Sequence, residues 1–154
     1  MTQDMTSDQA TAARKAWMSL LATASEDRLA ALFDTLGACP EHDTLRAPET
    51  GGVMVRGRAG GTGAPFNLGE MTVTRCTLKL ATGVVGHGYV QGRSKRQAEL
   101  AAKLDAMMQT EAAEEVEAKV LTPLRAERIL ARDDRAAKAA ATKVDFFTMV
   151  RGED

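Results

Sequence analysis

Apolar positions in the first forty residues fall at helical spacing. Ala10, Ala13, Trp17, Leu20 and Leu21 mark one stripe, and Leu29, Leu32, Phe33 and Leu36 mark a second. Polar residues set the ends. Thr6 and Gln9 stand at capping-box spacing, and Ser25 precedes Glu26 and Asp27, acids placed where a helix dipole favours them. Gly37 supplies a C-cap. The pattern predicts a helix pair over 6–37. Cys39 to Gly52 then carries Pro40, Pro48, Gly51 and Gly52 and reads as a loop.

From Val53 the period changes to two. Val53 and Val55 point one way and Met54, Arg56 and Arg58 the other, a short half-buried strand with its arginines on the outer face. The glycine-rich run Ala59 to Ala64 follows, then an alternating hairpin from Met71 to Leu80 and Val84 to Val90. With Thr82-Gly83 as a two-residue turn, Leu80 faces Val85, Leu78 faces His87 and Cys76 faces Tyr89. That register puts His87 on the more apolar face, with Arg75, Thr77 and Lys79 opposite beside Gly86, Gly88 and Val90. The small antiparallel sheet spans 53–91.

Helical spacing returns after Ser94, which forms a second capping box with Gln97. Leu100, Leu104, Met107 and Met108 supply the apolar face. Thr122-Pro123 reads as an N-cap with proline at N1, so a further helix begins or kinks there. Arg125, Arg128, Arg132 and Arg135 share one face, which reads as a solvated row. Beyond Leu130 the apolar residues are all alanine until Val144, so this helix has little to hold it down. Helices are expected over 94–141, and an apolar docking tail over 142–154, with Phe146, Phe147 and Met149 as partner-docking residues. The whole is an α+β chain of one domain, 1–154: N-terminal helix pair, small antiparallel sheet with a central hairpin, C-terminal helices and tail.

Charge changes the picture of the middle segment. Between Val53 and Ala98 stand seven Lys or Arg and one acid, Glu70, in a chain of net charge −1, so the remainder is about −7. Arg56, Arg58, Gly60, Gly61 and Gly63 on the loop, and Arg93, Lys95 and Arg96 at a helix start, are candidate anion-binding residues. Cations in a first helical turn oppose the dipole, and a bound anion or a partner's carboxylate there would turn that cost into a gain. The loop is neither standard nucleotide fingerprint: no Gly-Lys-Ser/Thr follows, and Phe66 stands where a third glycine belongs. His87 carries two readings, a core histidine bonded to backbone or an acid–base or phosphate-contacting group.

Other classes are excluded or disfavoured by composition. Aromatic residues make up 4% and much of the apolar content is alanine, so the core is modest and a partner is expected to complete some helical surface. The near-neutral charge argues against nucleic acid as a partner. Cys39 and His42 have C-x-x-H spacing, but Cys76 and His87 are the only other soft ligands and no recognised zinc pattern results, so no metal is expected. Met1 to Gln9 carries acids and no apolar run, unlike a signal peptide, and no stretch approaches the ~20 apolar residues of a membrane span. A cytoplasmic protein with free thiols is the expectation.

Three segments point further. Arg58-Ala59-Gly60-Gly61-Thr62-Gly63-Ala64-Pro65-Phe66-Asn67-Leu68-Gly69-Glu70, Gly86-His87-Gly88-Tyr89-Val90 and Val144-Asp145-Phe146-Phe147-Thr148-Met149-Val150-Arg151-Gly152-Glu153 resemble the PhnG family of the bacterial phosphonate C–P lyase system. The resemblance covers nearly the whole chain in the same order of elements. It departs at Ala81-Thr82-Gly83, where an acidic residue is expected before the glycine; that bears on turn geometry. The resemblance implies a subunit of the C–P lyase core complex with H, I and J companions. It implies a part in a transferase reaction, in which methylphosphonate displaces adenine from ATP to give α-D-ribose 1-methylphosphonate 5-triphosphate. Cleavage of the C–P bond, by iron–sulfur and S-adenosylmethionine chemistry, belongs to another subunit, and two cysteines are too few for a cluster here. The expected chain binds no cofactor alone, meets ATP and an alkylphosphonate in the complex, and offers His87 as its catalytic candidate. A non-catalytic assembly module, or an anion- or nucleic-acid-binding module, is the alternative.

Overall fold

The computed structural model describes the backbone of residues 2–143 and the side chains of residues 8–143. The expected tail residues Phe146, Phe147 and Met149 lie outside the described residues. The architecture is α+β. Helices α1 (Thr2–Thr23) and α2 (Glu26–Phe33) precede a three-stranded antiparallel sheet of β1 (His42–Arg58), β2 (Pro65–Leu80) and β3 (Val85–Gln91), in the order β1-β2-β3. Helix α3 (Lys95–Met107) packs on one face of that sheet. The four-residue α4 (Ala113–Val116), a π-helical turn (Glu117–Leu121) and α5 (Thr122–Ala141) follow.

Several helix ends follow the sequence. Ser25 Oγ accepts from the Arg28 N–H at the start of α2, and Gly37 takes φ +80° after the short helical turn Asp34–Leu36. Ser94 Oγ likewise accepts from the Gln97 N–H. The Gln97 side chain, however, does not reach back to complete a box. It is buried and donates to the Leu21 and Ala24 carbonyls, closing the C-terminal end of α1 from another element. Helix α1 itself begins at Thr2, so Thr6 lies within it rather than capping it.

Strand β1 corrects the expected loop. It starts at His42 and runs through Pro48, Gly51 and Gly52. The proline is tolerated because β1 is an edge strand, and because the pairing register breaks between Arg46 and Glu49, around Ala47 and Pro48. Proline and glycine read as loop signals from sequence; on an edge with a bulge they remain compatible with a strand.

The hairpin register is corrected by one residue. The Leu80 N–H donates to the Val84 carbonyl and the Gly83 N–H to Leu80, with Gly83 at φ +92°, so the loop is three residues, Ala81-Thr82-Gly83. Such loops end on a left-handed glycine, whereas a two-residue turn favours Asn-Gly or Asp-Gly. Leu78 therefore pairs with Gly86, Thr77 with His87, Cys76 with Gly88 and Arg75 with Tyr89. One step exchanges the two faces of a strand. Gly86, Gly88 and Val90 face the core with Thr74, Cys76, Leu78 and Leu80, while His87 and Tyr89 are exposed on the other side.

The glycines have a packing reason. A Cβ on Gly88 would stand 1.9 Å from the Ala98 carbonyl oxygen, and one on Gly86 2.1 Å from that of Ala102 and 2.7 Å from Ala106 Cβ. Ala98, Ala102 and Ala106 are spaced by four along one face of α3, and all three are fully buried. Small residues on both elements bring the helix backbone onto the strand. Leu20, Leu21, Leu29, Leu32, Leu104, Val116, Val120 and Leu121 complete the core around this contact.

At Pro123 the helical backbone continues. Thr122 has helical dihedrals (φ −61°, ψ −49°), and its hydroxyl donates to Glu117 Oε1 rather than capping a backbone N–H. The π turn just before is where the wider hydrogen-bond spacing meets the proline's missing N–H. Past Leu124 every described residue of α5 is exposed, including Ile129 and Leu130. No helix among the described residues is long and apolar enough to cross a membrane.

Candidate functional site

The sheet face away from α3 carries a compact polar grid. Each strand contributes two side chains, in two cross-strand rows: Arg46, Thr77 and His87 in one, and Glu49, Arg75 and Tyr89 in the next. Facing residues of neighbouring strands stand about 5 Å apart, so the six lie within mutual reach. Arg46 and Glu49 are three apart in sequence and would take opposite faces of a regular strand. The irregularity at Ala47-Pro48 brings them to the same face, where Arg46 Nη1 donates to Glu49 Oε1 at 2.8 Å. Arg75 Nε donates to the same oxygen at 2.7 Å. One carboxylate thus aligns two guanidiniums, leaving the Arg75 Nη groups without a partner among the described residues.

The Glu49 carboxyl is held below the usual carboxylate range, first by the Arg75 hydrogen bond and then by the Arg75 charge. His87 Nδ1 shares a hydrogen bond with Thr77 Oγ1 at 3.2 Å, and Nε2 of this exposed ring has no partner among the described residues. A hollow of about 460 Å³ lies over Arg46, Arg75, Thr77, His87 and Tyr89, with Met18 of α1 on its rim.

Beneath the grid, a buried carboxylate fixes the edge strand. Asp105 of α3 has no exposed surface and accepts from Arg14 Nε (3.1 Å), Arg14 Nη2 (2.6 Å), Trp17 Nε1 (2.9 Å) and the His87 N–H (2.9 Å). Charge-assisted bonds from α1 and a backbone donor on β3 meet on one side chain. The His87 side chain is therefore presented from an anchored strand rather than from a loop. Burial raises the thiol pKa of both Cys39 and Cys76, so neither is poised as a nucleophile.

The residues singled out in the sequence are distributed over three places. His87 lies in the grid. Arg56, Arg58, Gly60, Gly61 and Gly63 lie at the far end of the β1–β2 ribbon, which extends eight residues of β2, Pro65 to Thr72, beyond the part paired with β3. That is about 25 Å of two-stranded arm. At its tip Gly60 and Gly61 have φ +59° and +82°, and Arg58 Nη1 donates to the Gly63 carbonyl. Phe66 and Leu68 are exposed on it. Arg93 lines a hollow at the base of the arm with Gly52, Glu70 and Thr72, while Lys95 and Arg96 are exposed in the first turn of α3. A carboxylate at that helix start is supplied internally, because Ser94 Oγ donates to Glu26 Oε2. The grid residues Arg46, Glu49, Arg75, Thr77 and Tyr89 were not legible as a group, since β1 read as loop there and the hairpin register was shifted.

The family model described as "Phosphonate metabolism protein PhnG" matches residues 12–152. The chain belongs to the PhnG family. It is 51% identical over 151 residues to the "Alpha-D-ribose 1-methylphosphonate 5-triphosphate synthase subunit PhnG" of Rhizobium meliloti (strain 1021), covering 97% of this chain and 96% of that protein. The PhnG assignment spans α1 from its middle, the whole sheet and the C-terminal helices, so the grid, the arm and α5 all fall within the family region.

Proposed function

We propose that this chain is a subunit of α-D-ribose 1-methylphosphonate 5-triphosphate synthase, within the C–P lyase core complex of organic phosphonate catabolism. It assists the displacement of adenine from ATP by methylphosphonate. The observation that carries this reading is the 51% identity, over nearly the full length of both chains, to the rhizobial synthase subunit. The surface is in keeping with a subunit. The polar grid is an open sheet face rather than an enclosed site, and the arm and α5 present Phe66, Leu68, Ile129 and Leu130 to the outside. An isolated two-stranded ribbon is marginal in water, so an arm of this length is in keeping with a neighbour that packs on it.

In this reading the partners are the H, I and J subunits, the setting is the cytoplasm, and ATP and the alkylphosphonate are substrates of the assembled complex. The chain brings no cofactor of its own, and His87 is its substrate-facing residue. Reconstitution with and without this chain, measuring adenine released from ATP in the presence of methylphosphonate, tests the proposal. Release should fall to background when the chain is omitted; undiminished release would overturn it.

A further inference from the structure

The hollow over the grid does not stop at Tyr89. Met18 and Tyr89 also line a second hollow, of about 580 Å³, along the flank of α1 beside β3, where Arg14, Lys15, Ser19 and Ala22 contribute. The two adjoin at that shared pair, and each lies within the roughly 300–1,000 Å³ of small-molecule sites. Their chemistry differs from end to end. The grid end has two guanidiniums aligned by Glu49 and an exposed imidazole whose Nε2 has no partner among the described residues. The α1 end has a half-exposed tyrosine ring, whose hydroxyl has no partner among the described residues, a thioether and an alanine. Lys15 stands at its rim without an ion-pair partner among the described residues.

We infer that this bipartite cleft is a binding subsite for a nucleoside polyphosphate. The phosphates lie on Arg46, Arg75 and His87, and the flat base or sugar lies over Tyr89 and Met18. Aligned guanidiniums are suited to phosphate oxygens, which take parallel N–H donors, and a tyrosine face suits a planar ring. Glu49 is a positioning residue: it holds the two arginines in register and leaves their remaining N–H groups for the ligand. A simple anion would need only the grid; the adjoining apolar shelf is what points to a nucleotide.

The inference rests on the subunit reading for the choice of ATP as that nucleotide, and the test separates the two. The complex containing this chain is photolabelled with 8-azido-ATP, and the modified peptide is mapped. Labelling within Val85–Gln91 or Arg14–Ala22, competed by ATP, supports the subsite; labelling confined to other subunits overturns it. Complexes carrying Arg75→Ala, Arg46→Ala or Tyr89→Ala, shown by co-elution to be assembled, should each raise the KM for ATP tenfold or more. The arginine variants should lose competition by inorganic triphosphate, and Tyr89→Ala should lose competition by adenosine. KM values within twofold of wild type in assembled complexes would sink the subsite while leaving the subunit reading intact. Adenine release that persists when the chain is omitted would remove the subunit reading instead.

Discussion

The contact between β3 and α3 makes a strong quantitative demand. In Gly88→Ala the new Cβ would stand 1.9 Å from the Ala98 carbonyl oxygen, 2.9 Å from its carbon and 3.0 Å from the Ala102 nitrogen. All three are backbone atoms, so no side chain can swing aside. Relief requires strand and helix to part by about 1 Å, and a gap of that size forfeits a quarter to a half of the dispersion energy across it. The interface includes Leu78, Val90, Ala98 and Ala102, all essentially buried. Overpacking of this kind costs about 1–3 kcal/mol, and a clash with main chain belongs at the top of that range. For a chain of this size, about 3 kcal/mol lowers the Tm by roughly 6–12 °C. Thermal unfolding followed by circular dichroism measures it. Gly69→Ala is the matched control, since nothing lies within 4 Å of its Cβ position; it should change stability by less than about 1 kcal/mol. His87→Ala should also be nearly neutral in stability, being exposed. A Gly88→Ala Tm within about 2 °C of wild type, together with a large loss in His87→Ala, would mean that the register is wrong and His87 faces the helix.

Two further outcomes follow from the charged groups. Asp105→Asn turns one acceptor oxygen of a fully buried carboxylate into a donor facing N–H groups of Arg14, Trp17 or His87, and should cost about 3 kcal/mol, read from urea unfolding; a loss under about 1 kcal/mol would show that the cluster is not needed to hold α1 and β3 together. The Glu49 carboxyl should titrate below free glutamate in a carbon-detected NMR titration, and Arg75→Ala should move it back up. Because its folded value is depressed, any stabilisation it gives is fully present above the unfolded glutamate value and is lost as pH falls from there through the folded value. A midpoint indifferent to Arg75 would refute the shared-carboxylate arrangement.

The helices were legible in the sequence because their signals are local. Ser25 and Ser94 cap the helices they precede, and the Leu29, Leu32 and Leu36 stripe is buried as its spacing requires. The sheet was harder to read, for two physical reasons. Strand β1 buries almost nothing along its length, so burial left little alternation to find before Val53, and Pro48 with Gly51 and Gly52 favoured a loop. The hairpin register depends on whether its loop has two or three residues, and that single residue moved His87 across the sheet. A signal for the true register was present in Gly86 and Gly88 together with Ala98, Ala102 and Ala106, two small-residue patterns that fit one another. The grid inherited both errors, because four of its six members lie on β1 or moved across the sheet with the register.

Helix α5 sets a distance. From Thr122 to Ala141 it contains twenty residues, about 30 Å of axis, and Leu124 is its only buried side chain. Alanine-rich composition and pairs such as Lys138 with Asp134 keep it helical on its own account. It therefore works as a ruler fixed at one end: the backbone at residue 143 is delivered a set length from the core, pointing in a set azimuth. Removing seven residues would shorten that reach by about 10 Å and nearly preserve the azimuth, whereas removing five would turn the far end to the opposite side of the helix. Length and phase are separate variables in such an element, and any surface that engages its far end must match both.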